Sequence, residues 1–161
     1  MCALGANQAR AAARSDGLFR GAFGLPPSSG WADTGRAMSQ ENVELVRRFV
    51  RDEHGEWLTY LDPGVVWNTA NDGSARGVEE VEAAMTRWES TWDDYDVIPE
   101  EFIDLGDRVL ATLRVVGRGR ASGIAVDALF HQVFTLRDNK IVRMDEYIDR
   151  AEALAVAGLR E

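Results

Sequence analysis

A chain of 161 residues, 45% of them hydrophobic, can bury one real core and is too short for two ordinary domains. Its net charge of −9 argues against nucleic acid as a partner, because phosphate contact calls for clustered Lys and Arg. No apolar run is long enough for a membrane span and no secretory leader pattern is visible, so the expected location is cytoplasmic.

Residues 1–37 mix Gly, Ala, Pro and Ser with few periodic apolar positions and read as a disordered or non-native extension. An Arg-rich targeting peptide is the alternative. The character changes at Met38, where the domain 38–161 is expected to begin, with Ser39 as N-cap and Glu41 and Glu44 in a first helical turn. Val43, Val46, Phe49 and Val50 recur at helical spacing. A short helix from Glu56 to Leu61 follows, stopped by Asp62-Pro63-Gly64, and Val65 to Thr69 read as a first strand. The loop Asn71 to Ser74 leads to a helix from Val78 to Trp92 with an inner stripe of Val81, Met85, Trp88 and Trp92.

The second half reads as strand and turn: Asp96 to Leu105, Arg108 to Val116, Ile124 to Leu136 and Lys140 to Ile148, then a helix from Arg150 to Leu159. Connections this short make the four strands an antiparallel meander. Helices gathered on one face of such a sheet give the α+β class.

Chemistry concentrates in the last hairpin. If Asp138-Asn139 is a two-residue turn, His131 falls opposite Glu146 on one face and Gln132 opposite Asp145 on the other. A carboxylate beside an imidazole could shuttle a proton near neutral pH, although a cross-strand polar pair on a half-solvated sheet has the same pattern. A bulge shifting the register by one would instead turn the Gln132 pair to the pocket. Asn68 near the end of the first strand could face a ligand or simply end the strand. Trp67, Trp88, Trp92 and Tyr60 could line an apolar pocket or fill the core. His54 lies in a polar helix end and is expected to be exposed. The single cysteine, Cys2, cannot form an internal disulfide, and two histidines do not make a structural zinc site. No cofactor or metal is implied.

The segments SQENVELVRRFV, LDPGVVW, RGVEEVEAAMTRWEST, PEEFIDLGDRVLATLRVVGRGR and VFTLRDNKIVRMDEYIDRAEALAVAG, in this order, resemble the SnoaL-like branch of the nuclear transport factor 2-like superfamily. The resemblance implies a cone-shaped α+β barrel, a curved mixed or antiparallel sheet wrapped around N-terminal helices. It also implies a central cavity for a small hydrophobic molecule and a homodimer through the sheet. Ketosteroid isomerases of this superfamily place a tyrosine where this chain has Phe49 and a carboxylate base where it has Asn68, and their buried aspartate matches His131. Steroid isomerisation by that route therefore lacks its proton carrier. SnoaL-type cyclases use an aspartate on the last strand, and Glu146 occupies that place. The family pattern sends Met144, Glu146 and Ile148 into the cavity, on the face that holds His131. The segment between Phe49 and Asp62 is shorter than in the family, which opens or shrinks the pocket roof.

Two functions are thus expected. One is an acid/base enzyme of cyclase, isomerase or hydrolase type, with Glu146 and His131 catalytic and Asn68, Trp67, Phe49, Trp88, Met144 and Ile148 around the substrate. The other is a non-catalytic binding or dimerisation module.

Overall fold

The computed structural model describes residues 30–52 and 55–159. Residues 1–29, most of the expected extension, and His54 lie outside the described residues. The first helix, α1, spans Gly30–Arg51. It runs through Met38, so Ser39 is not an N-cap: its hydroxyl donates to the Arg36 carbonyl, 3.0 Å away, inside the helix. A 3₁₀ turn at Trp57–Tyr60 leads directly into β1, Leu61–Thr69.

Asp62-Pro63-Gly64, expected to halt a helix, instead lies within β1. The pairing of β1 with the last strand slips between Leu61 and Val66, and Pro63, which has no N–H for a ladder, falls in that irregular stretch. The expected loop Asn71 to Ser74 is also partly strand. β2, Gly73–Arg76, folds back antiparallel on β1; its four polar and small residues carry no alternation that would betray it. Helix α2 covers Gly77–Glu89, ending before Trp92, which opens β3 instead of closing the helical stripe.

The meander follows as expected: β3 Trp92–Asp104, β4 Arg108–Gly119, β5 Ala125–Arg137 and β6 Lys140–Tyr147, then α3 at Arg150–Ala157. The six strands form one curved, unclosed sheet in the order β2-β1-β6-β5-β4-β3, antiparallel throughout except for the parallel pair β1 and β6. Close approach of β3 to β4 requires Gly117, where a Cβ would come within 2.5 Å of the Asp94 carbonyl oxygen.

Alternation along the strands divides the sheet into two faces. On the inner face Ala111, Leu113, Phe134 and Met144 form one core with Val46 of α1, Trp57 and Val81 of α2. On the outer face Leu110 and Val133 form a smaller core with Ala153, Leu154 and Ala157 of α3. The helices are therefore not all on one side, because α3 presents small residues that let it lie flat on the opposite face. Asp149 caps α3, its carboxylate accepting from the Glu152 amide at 2.9 Å.

Candidate active-site cavity

The turn at Asp138-Asn139 forms as the residue types require, with φ of 51° and 58°. Arg137 faces Lys140 and Leu136 faces Ile141, but the next pair is Thr135 and Arg143, leaving Val142 as a bulge. One extra residue inverts the face of everything beyond it. The expected pairing of His131 with Glu146 is therefore overturned: His131 faces Tyr147, and Glu146 faces Gln132. The acid turns inward and the imidazole outward.

Inside the sheet lies a cavity of about 570 Å³, roofed by α1 and α2 and walled by β1 to β6. Phe49, Trp57, Trp67, Trp88 and Phe130 supply its aromatic wall. These rings brace one another: Phe49 meets Trp57 edge-on at 6.2 Å and Phe134 at 5.7 Å, and Trp88 meets Tyr95 at 4.9 Å. Glu146 is half-buried in the wall. Its two oxygens are held from different segments, one accepting from Gln132 Nε2 of β5 at 2.9 Å and the other from the amide of Ala70, in the turn after β1, at 3.4 Å. A carboxylate oriented by two neutral donors beside an apolar cavity can take a proton from a bound molecule or return one.

The other residues singled out in the sequence scatter. Phe49, Trp67 and Trp88 line the cavity with Glu146. Met144 is buried in the inner core next to Trp67, without reaching the cavity surface. Ile148 lies past the end of β6 and is 57% exposed. Asn68 alternates away from Trp67 and is tied into a polar ladder, donating to Asp145 Oδ1 at 2.6 Å and accepting from Ser74 Oγ. Asn68, Ile148 and Glu146 share a second crevice, of about 500 Å³, with Asp145, Asp149 and Glu152. Asp145 itself is paired with Arg143 at 2.7 Å.

His131 is buried at 3% exposure on the outer face. Its Nδ1 lies 3.0 Å from Thr112 Oγ1, and Arg150 donates to the same hydroxyl at 3.3 Å and to Glu101 at 2.7 Å. The Thr112 hydroxyl thus joins His131, Arg150 and Glu101 in one polar network on the outer face. Burial, followed by the charge of Arg150, pushes the imidazole below its usual pKa against the pull of Glu101 and Asp149. This network locks α3 to the sheet. Among the described residues no group of three or more His, Cys, Asp or Glu is placed to hold a metal ion.

Trp57 and Phe130 line the pocket without having been singled out from the sequence, and Gln132, expected there with Asp145 only if a bulge shifted the register, is there with Glu146 instead. Only the bulge brings the amide to the acid, and nothing in the composition of Ile141-Val142-Arg143 marks it.

A SnoaL-like domain family model matches residues 42–144. No curated protein matches the chain in sequence. Among solved structures, a protein described as a SnoaL-like polyketide cyclase from Jannaschia sp. CCS1 superposes with a TM-score of 0.64 at 20% identity, covering 86% of this chain and 100% of its own. TerC, co-crystallised with polyporic acid, gives 0.60 at 19% identity over 73% of this chain and 98% of its own. A protein with a ketosteroid isomerase-like fold from Catenulispora acidiphila DSM 44928, in complex with trimethylamine, gives 0.58 at 16% identity over 73% and 94%. At these identities the structural likeness speaks for the fold. With the family match spanning the end of the first helix, all of α2 and most of the sheet, the chain belongs to the SnoaL-like domain family.

Proposed function

We propose that this protein binds a small, largely apolar organic molecule in the inner cavity and exchanges a proton with it through Glu146. The observation that carries the reading is a half-buried carboxylate, oriented by Gln132 and the Ala70 amide, in the wall of an aromatic-lined hollow of ligand size. Phe49, Trp67 and Trp88 serve as the apolar walls that position the molecule. Two neighbours of the same fold were crystallised with small organic molecules, polyporic acid in one and trimethylamine in the other. His131 has no part in this reading, because it is buried under Arg150 on the other side of the sheet.

In the proton step, Glu146 as carboxylate removes a proton from an acidic C–H or O–H of the bound molecule and becomes the carboxylic acid. The electron pair stays on the molecule, the proton on the Glu146 carboxyl exchanges with water, and the carboxyl returns a proton to the same or a second atom of the molecule and is again the carboxylate. The test is deuterium exchange in D₂O, followed by NMR, into small ring-bearing carbonyl compounds with and without an amine. Enzyme-dependent exchange that disappears in Glu146→Gln, with an unchanged far-UV spectrum, is the expected result. Exchange that survives in Glu146→Gln removes the acid from the mechanism.

A non-catalytic binding module is the second reading, favoured by a single observation: among the described residues no imidazole accompanies Glu146 in the cavity. A homodimer through the outer sheet face is part of both readings. Ile98, Val116 and Leu129 stand 43%, 37% and 44% exposed there on three adjacent strands, apolar surface that a second copy would cover. A cytoplasmic location completes the proposal; among the described residues no helix is long and apolar enough to cross a membrane.

A further inference from the structure

We infer that the molecule this cavity selects carries a protonated amine on an apolar, ring-sized body, with the ammonium seated against Glu146. The inference rests on the reading of the cavity as a small-molecule site, and it adds the charge of the occupant.

Three observations lead there. First, Glu146 is a partly desolvated carboxylate with no cationic partner: none of the ion pairs among the described residues includes it, and both of its hydrogen-bond donors are neutral amides. A charge taken from water without a countercharge is costly, and a ligand cation removes that cost. Second, the hydroxyl hydrogens of the lining are already committed. Thr69 donates to the Gly73 carbonyl, Ser74 to Asn68 Oδ1 and Thr91 to the Trp88 carbonyl. Those hydroxyls turn lone pairs, not hydrogens, to an occupant, which suits a donor such as N–H⁺; the Trp67 Nε1–H of the same lining is buried with no acceptor among the described residues and is open to one on the occupant's body.

Third, the surrounding field is negative and the walls are aromatic. The second crevice shares Glu146 and Thr69 with the cavity and adds Asp149 and Glu152, together with Asp145, whose charge Arg143 offsets; among the described residues no Lys or Arg lines it. Asp72 also lines the cavity, whose one cation among the described residues is the exposed Arg87. Trp67, Trp88 and Phe49 put aromatic rings in the lining, whose π-systems attract a cation, and an ammonium makes a charge-assisted bond to the acid.

The test compares three probes of one shape by calorimetric titration at neutral pH: 2-phenylethylamine, 2-phenylethanol and 3-phenylpropanoate. The expected order is amine, alcohol, carboxylate, with the amine at least about tenfold tighter than the alcohol. In Glu146→Gln the amine should lose its advantage over the alcohol. Raising NaCl from about 20 to about 500 mM should weaken the amine alone in the unaltered protein, a readout independent of whether the variant folds. Equal or tighter binding of the alcohol, or an amine preference that survives Glu146→Gln, overturns the inference and leaves the cavity reading standing. If none of the three binds, the cavity reading fails and the inference falls with it.

Discussion

The single bulged residue Val142 turns Glu146 to the face opposite His131, whose own side is set by the regular alternation of β5. Their types are equally suited to proton transfer, and their burial decides what each does. Glu146 stands at a hollow, whereas His131 is 3% exposed beneath an arginine. Because the folded imidazole has a pKa below its unfolded value of about 6.5, the unfolded chain takes up protons that the native state refuses. The neutral ring's contribution to stability is thus complete above about pH 6.5 and is lost progressively as the pH falls below it. Urea midpoints measured from pH 8 down to pH 5.5 should decline more steeply in the unaltered protein than in His131→Gln. Parallel declines would show that the ring does not titrate with unfolding.

At the level of elements, periodicity located every strand of the meander, and the turn residues located its corners. What it could not see were features whose cause lies in a neighbour. β2 is strand because β1 offers it an edge, and Pro63 is tolerated in β1 because the ladder to β6 slips there. The last helix shows the same dependence: its Ala153, Leu154 and Ala157 are apolar enough for either face, and the outer patch of Leu110 and Val133 claims them. Its start is local, fixed by the Asp149 cap. Asp149→Ala should cost about 1 kcal/mol of stability in chemical denaturation, and native-state hydrogen exchange should show the loss concentrated in α3. An unchanged midpoint would mean that the tertiary contacts of Arg150 alone hold the helix.

For the whole molecule, the unclosed sheet has one face filled by helices and a cavity, and another covered by α3 over only part of its extent. Ile98 and Leu129 flank Arg114 across three strands, and Arg114 is itself paired with Asp127 at 2.6 Å. If a second copy covers this face, Leu129→Arg should convert a dimer to a monomer in light scattering without lowering helix or strand content. A monomer in the unaltered protein at micromolar concentration would dismiss the dimer.

The amino-acid sequence by itself determined the class of fold, the meander, the tight final turn and the acid on the last strand, since those follow from side-chain period, turn chemistry and spacing along one segment. The inward face of Glu146, its partner Gln132 and the burial of His131 were decided only by the assembled sheet. A bulge is set by how β6 must fit β1 and β5 at once, a constraint that links residues 61 to 66 with 135 to 143 and leaves no mark on either segment alone.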